Sequence, residues 1–513
     1  MIGDVQNRHS KWCKLSFEVS SKCVAAALGP TDFDMWHKQL NQVIKTVVAH
    51  RHRIARCKLA DFFTGDQPGD WIVIPECHET TLVELAELLG FAWNQTPVGL
   101  EGEKDSMEIG DSPAEAEFRA QARSWLHEHG TPRSLEAPDS DSTTDAAEDP
   151  VDLAQHVAAA QAWQAKLHQH GWAGLAIPVD YGGRGATPIQ AAIFYEEMAN
   201  VAETIGPLTV ALGMVAPTLI AHGNIDQKRH IAPILRGEEL WCQLFSEPGA
   251  GSDLASLATR AVSDGDNWIV NGQKVWTSLG QFARYGILLA RTDIEAPKHQ
   301  GITYFIVDMT DPGIEIRPLR QITGQAHFNE VFLNDVVVPH ANVVGEVGDG
   351  WSVARTTLTS ERAAISGSGA AWSAERLVEA ALKTGRSKDP NIRQALAKAY
   401  TRQVILKILG YRLRTALSHQ RMPGREALVM KLAYANHWVD TTSTALEIFG
   451  VQATTAPEYG PANHWYQLFL NQYAIRLGGG TDEVQRNIIA EMGLGLPREP
   501  SLGKGVPWKN LPR

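Results

Sequence analysis

At 513 residues, 44% hydrophobic and 20% charged, the chain is long enough for several packed units and is neither fibrous nor disordered in composition. A formal charge of -11 excludes general nucleic-acid binding, so any phosphate recognition must be local. No apolar stretch approaches the roughly 18 residues that cross a bilayer, residues 1–10 lack the apolar core of an export signal, and a cytoplasmic protein is expected.

Residues 1–106 read as a unit apart. Cys13, Cys23, Cys57 and Cys77 concentrate there without C-x-x-C pairing, which argues against a disulfide framework, and its helical runs at 34–50 and 80–92 are short and poorly capped. Two readings stay open: an upstream start, with Met107 opening the working protein, or a small accessory domain. Cys57, Cys77, His50, His52 and His78 fit no common zinc spacing, so no metal is expected.

From 112 to 239 the apolar period is helical, at 112–129, 154–171 and 189–200. The stretch 134–150, rich in Ser, Asp, Thr, Ala and Pro, cannot bury a core and reads as a solvated acidic loop. Short β-branched and aromatic strands follow at 268–270, 286–290, 302–307 and 331–338, with Asp264-Gly265 marking a hairpin turn. Helical patterns return at 351–384, 390–419 and 425–449. The expected class is α+β: an N-terminal helical domain at 107–239, a middle β domain at 240–345, a C-terminal helical bundle at 346–500 and a tail at 501–513.

The strongest local signal is Leu244-Phe245-Ser246-Glu247-Pro248-Gly249-Ala250-Gly251-Ser252-Asp253, where glycine and proline shape a turn after a strand and expose backbone N–H groups. Physics alone allows any strand-ending loop there. The whole string resembles the first signature of the acyl-CoA dehydrogenase family, a loop that contacts flavin and acyl chain. Val270-Asn271-Gly272-Gln273-Lys274-Val275-Trp276-Thr277-Ser278 resembles that family's flavin-packing strand. Gly478-Gly479-Gly480 with Thr481-Asp482-Glu483-Val484-Gln485-Arg486 is similar to its C-terminal flavin-contacting helix start, and Gly174-Leu175-Ala176-Ile177-Pro178 with Tyr181-Gly182-Gly183 to its N-terminal domain. Together these cover about 112–500.

The resemblance implies a helical domain, a β domain and a four-helix bundle, with FAD in the cleft and partly at a subunit interface. It places Gln243, Ser246, Trp276 and Ser278 at the flavin ring, Thr481 and Glu483 near the cofactor from the last helices, and Ser252 at the substrate. Without it, Trp276 would be a strand-core aromatic, Ser246 and Ser278 solvated strand ends, and Thr481 a helix N-cap. Dehydrogenation across the α and β carbons needs a carboxylate base. Many members carry it just before the Gly-Thr of the C-terminal motif, where this chain has Gly479. Other branches carry it beside an arginine on the first C-terminal helix, where this chain has Ser360-Glu361-Arg362.

Glu361 is therefore the candidate base, its pKa expected to rise on burial, and Arg362 the candidate acyl-CoA contact. The bland alternative is a surface glutamate on an amphipathic helix. Gly479 retains the backbone N–H with which the family polarises the thioester carbonyl. The chain departs from the family at Gly385-Arg386-Ser387-Lys388-Asp389-Pro390, which lacks an aromatic beside the pyrophosphate-binding Arg386, and at Glu447 and Glu483, which replace glutamines and would repel a diphosphate. Some actinobacterial relatives associated with sterol side chains pair two different subunits, so a homotetramer and an α2β2 heterotetramer both stay open. The expected activity is acyl-CoA dehydrogenation to the trans-2-enoyl-CoA, with an electron-transferring flavoprotein as acceptor. A helix-borne base permits bulky, branched or steroid-type acyl groups and does not exclude straight chains. The alternatives are a non-catalytic or half-site subunit and a flavin oxidase or monooxygenase on the same fold.

Overall fold

The computed structural model describes residues 111–132, 150–367, 374–419, 424–455, 461–498, 503 and 505–511. The N-terminal extension, its cysteines and histidines, and the acidic stretch before Pro150 lie outside the described residues.

Helix α1 (Pro113–His129) starts where Ser112 and Glu115 form a reciprocal capping box, and α3 (Pro188–Met198) starts on the same device from Thr187 and Gln190. Between them runs α2 (Pro150–Gln169). Phe118, Leu126, Trp163, Trp172 and Phe194 close a core among these helices. The next helix, α4 (Ala216–His222), lies against the β domain through Ala216 and Leu219.

The β domain contains β1 (Trp241–Leu244), β2 (Arg260–Asp264), β3 (Asn267–Ser278), β4 (Tyr285–Arg291), β5 (Ile302–Asp308), β6 (Ile314–Leu319) and β7 (Phe328–Pro339). Their order is β1-β4-β2-β3-β7-β6, with β5 also on β4. The Asp264-Gly265 turn, with Gly265 at φ 60°, joins β3 to β2. β2 and β6 escaped the sequence reading because their side chains are largely exposed and show little apolar alternation. β4 and β5 show the opposite: Ile287, Leu289, Ile302, Tyr304 and Ile306 face one core, and Leu288, Ala290, Phe305 and Val307 face another. Burial on both faces gives a continuous apolar run.

The C-terminal helices are α5 (Gly350–Gly367), α6 (Ala374–Lys383), α7 (Pro390–Ser418), α8 (Arg425–Phe449), α9 (Pro461–Leu477) and α10 (Asp482–Ile488). The run expected at 351–384 is thus two helices. Leu377, Ala381, Ile392, Tyr434, Trp438, Ile448, Trp465 and Leu468 build the bundle core. Helix α5 stands apart from that core, since Val353 and Ala354 pack with β4, β5 and α4. It bridges the β domain and the bundle.

Candidate active site

Three hydroxyls seat α5. Thr357 Oγ1 lies 2.9 Å from Thr218 Oγ1 and 3.1 Å from the Tyr304 hydroxyl, and the adjacent Thr356 meets His222 Nε2 at 2.8 Å. Thr357 and Tyr304 are fully buried, and burial pushes the Tyr304 phenol well above its ordinary range. Glu361 is four residues further on, so it projects from the same face of the helix one turn away. There Gln243, on β1, donates its side-chain N–H to Glu361 Oε2 at 3.3 Å. Both are half-buried. The Arg362 side chain lies outside the described residues.

β1 leads into the loop that begins at Phe245. Ser246 accepts a hydrogen bond through its carbonyl from the Val275 N–H at 2.9 Å, which sets the loop against β3 beside Trp276. The register of β3 on β7 slips between Lys274 and Thr277, and Trp276 sits in that bulge with φ 61° and 60% exposed. A left-handed tryptophan costs of order 1–3 kcal/mol and persists only where the surroundings impose it. The bulge turns out of the strand an indole that alternation alone would treat as a core aromatic. Next to it, Thr277 Oγ1 and Asn329 Oδ1 are buried without a hydrogen-bond partner among the described residues, and Ser278 pairs with Phe328 at the strand end.

Two residues quoted above without a role prove to anchor this loop. Lys274 Nζ donates to Glu247 Oε1 at 2.8 Å and to the Phe245 carbonyl at 3.0 Å, with the lysine side chain fully buried. Glu247 also accepts from the N–H groups of Ala258, at 2.7 Å, and Thr259, at 2.9 Å. Burial alone would push the Glu247 carboxyl up; the Lys274 charge and these hydrogen bonds hold it below its ordinary value. Burial likewise lowers the Lys274 ammonium against the pull of Glu247. A signal existed in the sequence: Trp268, Val270 and Lys274 share the parity that faces inward on β3, and an inward lysine demands an acid. Ser252, further along the loop, is exposed.

The C-terminal turn is shaped by Gly479 at φ 64° and Gly480 at φ 92°, conformations only glycine adopts freely. Gln485 Nε2 donates to the Gly479 carbonyl at 2.9 Å, and Lys431 Nζ donates to the Gly480 carbonyl at 2.7 Å. Thr481 caps α10, its hydroxyl accepting from Val484 N–H. Glu483 is exposed and pairs with Arg486 at 3.1 Å. Its own backbone N–H, with Thr481 and Arg486, holds its carboxyl below the ordinary value, and Arg486 offsets its charge.

The structure therefore brings Gln243 to Glu361, and Ser246 to the strand of Trp276 and Ser278. Gly479, Thr481 and Glu483 bond within their own turn, to Gln485, Val484 and Arg486. Arg386 lies in a separate turn, paired with Asp389 at 2.9 Å and donating to the Glu447 carbonyl at 3.3 Å. That bond takes the backbone of Glu447, whose side chain is exposed. The exposed indole, the nearby unpartnered hydroxyl and amide oxygens and the seryl ends of β1 and β3 fit a flat, polar-edged ring such as a flavin.

Three family models match: the N-terminal domain of acyl-CoA dehydrogenase over residues 112–238, the middle domain over 242–336 and the C-terminal domain over 348–494. The chain is 40% identical over 395 residues to acyl-CoA dehydrogenase IpdE1 of Mycobacterium tuberculosis, covering 75% of this chain and 98% of the relative. It is 42% identical over 326 residues to FadE34 of the same organism, spanning 44% of that longer protein. Among solved structures, a steroid acyl-CoA dehydrogenase, Tcur3481-Tcur3483, superposes with a TM-score of 0.66 at 29% identity over 77% of this chain and 100% of that one. The ChsE4-ChsE5 complex from Mycobacterium tuberculosis does so with a TM-score of 0.59 at 28% identity, over 77% and 100%. The chain belongs to the acyl-CoA dehydrogenase family and is an oxidoreductase of that class.

Proposed function

We propose that the chain carries out FAD-dependent α,β-dehydrogenation of an acyl-CoA thioester with a bulky, branched or steroid-type acyl group, giving the trans-2-enoyl-CoA, with Glu361 as the base. The observation that carries this reading is the Gln243–Glu361 contact: the one carboxylate at the family's helix-borne position is held at the mouth of β1, one turn beyond a helix face locked by buried hydroxyls. The chemistry FAD supplies when bound is acceptance of the β-hydrogen as hydride. Trp276 would cover the ring face, and Gln243, Ser246, Ser278 and Thr481 would meet its polar edge, with Glu483 nearby.

Glu361 takes the α-proton onto a carboxylate oxygen, and the Gln243 amide steers that group. The Gly479 N–H polarises the thioester carbonyl, and among the described residues no acceptor takes that N–H. Ser252 and Arg362 contact the acyl-CoA. Arg386 would meet the cofactor's diphosphate, in a homotetramer or an α2β2 assembly. Electrons leave to an electron-transferring flavoprotein.

Solved structures named for a steroid substrate and for paired chains support the bulky substrate class and the two-subunit form. The test is the visible spectrum of the purified protein during anaerobic addition of acyl-CoA thioesters. A yellow protein that bleaches with bulky thioesters is expected. Glu361→Asp should slow bleaching by about 10²-fold, the lower end of general-base contributions, while keeping its flavin; full activity in that variant sinks the assignment. Rapid oxygen uptake without another acceptor would favour the oxidase reading instead.

A further inference from the structure

Residues 505–511 lie beyond the stretch matched by the family's C-terminal model, which ends at 494. They return onto the β domain. Trp508 N–H donates to the Ala296 carbonyl at 3.0 Å, and Lys509 N–H donates to the Ile294 carbonyl at 3.1 Å, so the segment pairs with the connection between β4 and β5. Lys509 Nζ reinforces this with Glu295 at 2.6 Å. The Trp508 side chain is buried, and its indole N–H points to the Ser256 carbonyl at 3.4 Å.

Beneath the indole lies a buried arginine. Arg291 stacks its guanidinium 4.8 Å from the Trp508 ring centre and donates to the Ala255 carbonyl at 2.6 Å and the Leu257 carbonyl at 3.2 Å. Burial lowers it to about 10, with Glu247 and Asp293 opposing, and no salt bridge among the described residues involves it. The aromatic face does part of the work a carboxylate would do. The same connection reaches the loop from its other side, where Lys298 Nζ meets Asp253 at 2.6 Å. Further along it, His299 packs edge-on at 4.9 Å against Trp351 at the start of α5. The loop bearing Ser252 is therefore tied at its base by Glu247 and Lys274 and at its far end by Arg291, Trp508 and Lys298.

We propose that residues 505–511 clasp the 249–257 loop in its substrate-binding position, with Trp508 a positioning residue for acyl-CoA; this rests on the assignment of Ser252 above. Its effect falls on binding, because the groups Trp508 holds, the Arg291 guanidinium and the Ser256 carbonyl, support the loop of Ser252.

The experiment compares the full chain with Trp508→Ala and Trp508→Phe by amide hydrogen exchange and by steady-state kinetics with a thioester that bleaches the parent protein. Trp508→Ala should speed exchange of the Ser256, Leu257 and Ala258 amides by about tenfold. It should raise KM about tenfold with kcat within about twofold and flavin content unchanged, the signature of lost binding rather than lost chemistry. Trp508→Phe keeps a ring over Arg291 and should restore most of both. Unchanged exchange in Trp508→Ala overturns the clasp. Faster exchange with an unchanged KM overturns the positioning role, as does a Trp508→Phe variant whose KM stays at the Trp508→Ala value. Should no thioester reduce the parent protein, the functional reading fails on its own, and the exchange data alone decide the clasp.

Discussion

Two buried lysines hold the two sides of the candidate site, and they do so differently. Lys274, in the β domain, faces a carboxylate at 2.8 Å with both side chains buried, one charge against another. Lys431, on α8, is equally buried but sits 3.8 Å from Asp482, which Arg476 already engages at 2.7 Å; its closest bond is to the Gly480 carbonyl. The first lysine neutralises a charge and so fixes a loop. The second aims at peptide dipoles and so orients a turn, the one that presents the Gly479 N–H. A tight buried pair is costly to break singly, whereas loss of Lys431 leaves Asp482 still held by Arg476 and otherwise strands neutral carbonyl acceptors.

The largest effect should follow from Lys274→Met. It strands Glu247 without its partner and should cost about 3–5 kcal/mol in urea denaturation, the range for removing one member of a buried pair. A small loss would mean that the Ala258 and Thr259 amides suffice for Glu247. Lys431→Met should cost about 1–3 kcal/mol, the penalty for unsatisfied buried acceptors, and should lower kcat more than it alters flavin content. Equal stability losses in the two variants would erase the distinction between them.

Acid probes the β side again. His327 is buried at the end of the strand that pairs with Ser278, and burial depresses it from 6.5 to about 4. It stays neutral in the folded chain while the unfolded chain takes up a proton below 6.5, so its contribution is complete above that pH and is lost as pH falls toward 4. At pH 5.5 the loss should be about 1.4 kcal/mol. His327→Gln should flatten the pH dependence of the melting temperature between 6.5 and 4; an unchanged slope assigns the acid sensitivity elsewhere. The smallest effect belongs to Thr357→Val, which removes one hydroxyl from the seat of α5 and should cost about 1 kcal/mol. A few-fold fall in kcat would show that the seat tunes Glu361, and no change would show that it does not.

Much of this was legible in the sequence. Helix-period runs located α7 and α8 but merged α5 with α6 and gave no bounds for α9, and α8 begins and ends where the pattern placed it, between Gly424 and Gly450. The glycine-rich strings marked both loops of the site. Three features were not legible. The bulge that exposes Trp276 depends on a register slip against a strand some fifty residues away, and such slips leave no local trace beyond the residue itself. The partnership of Lys274 with Glu247 was hidden because one lies in a strand and the other in a loop, although the parity of the strand already required a buried lysine to find an acid. The return of Trp508 to Arg291 spans over two hundred residues, and no periodicity reports on contacts of that range.

Trp276 has a further consequence for optical work. Several of the protein's tryptophans, among them Trp241, Trp268, Trp438 and Trp508, are buried, whereas Trp276 is 60% exposed. Among the described tryptophans, its emission should lie at the red edge and be the first quenched by iodide. Any planar group that settles on the bulge would remove that component first, so titration of occupancy needs no introduced label.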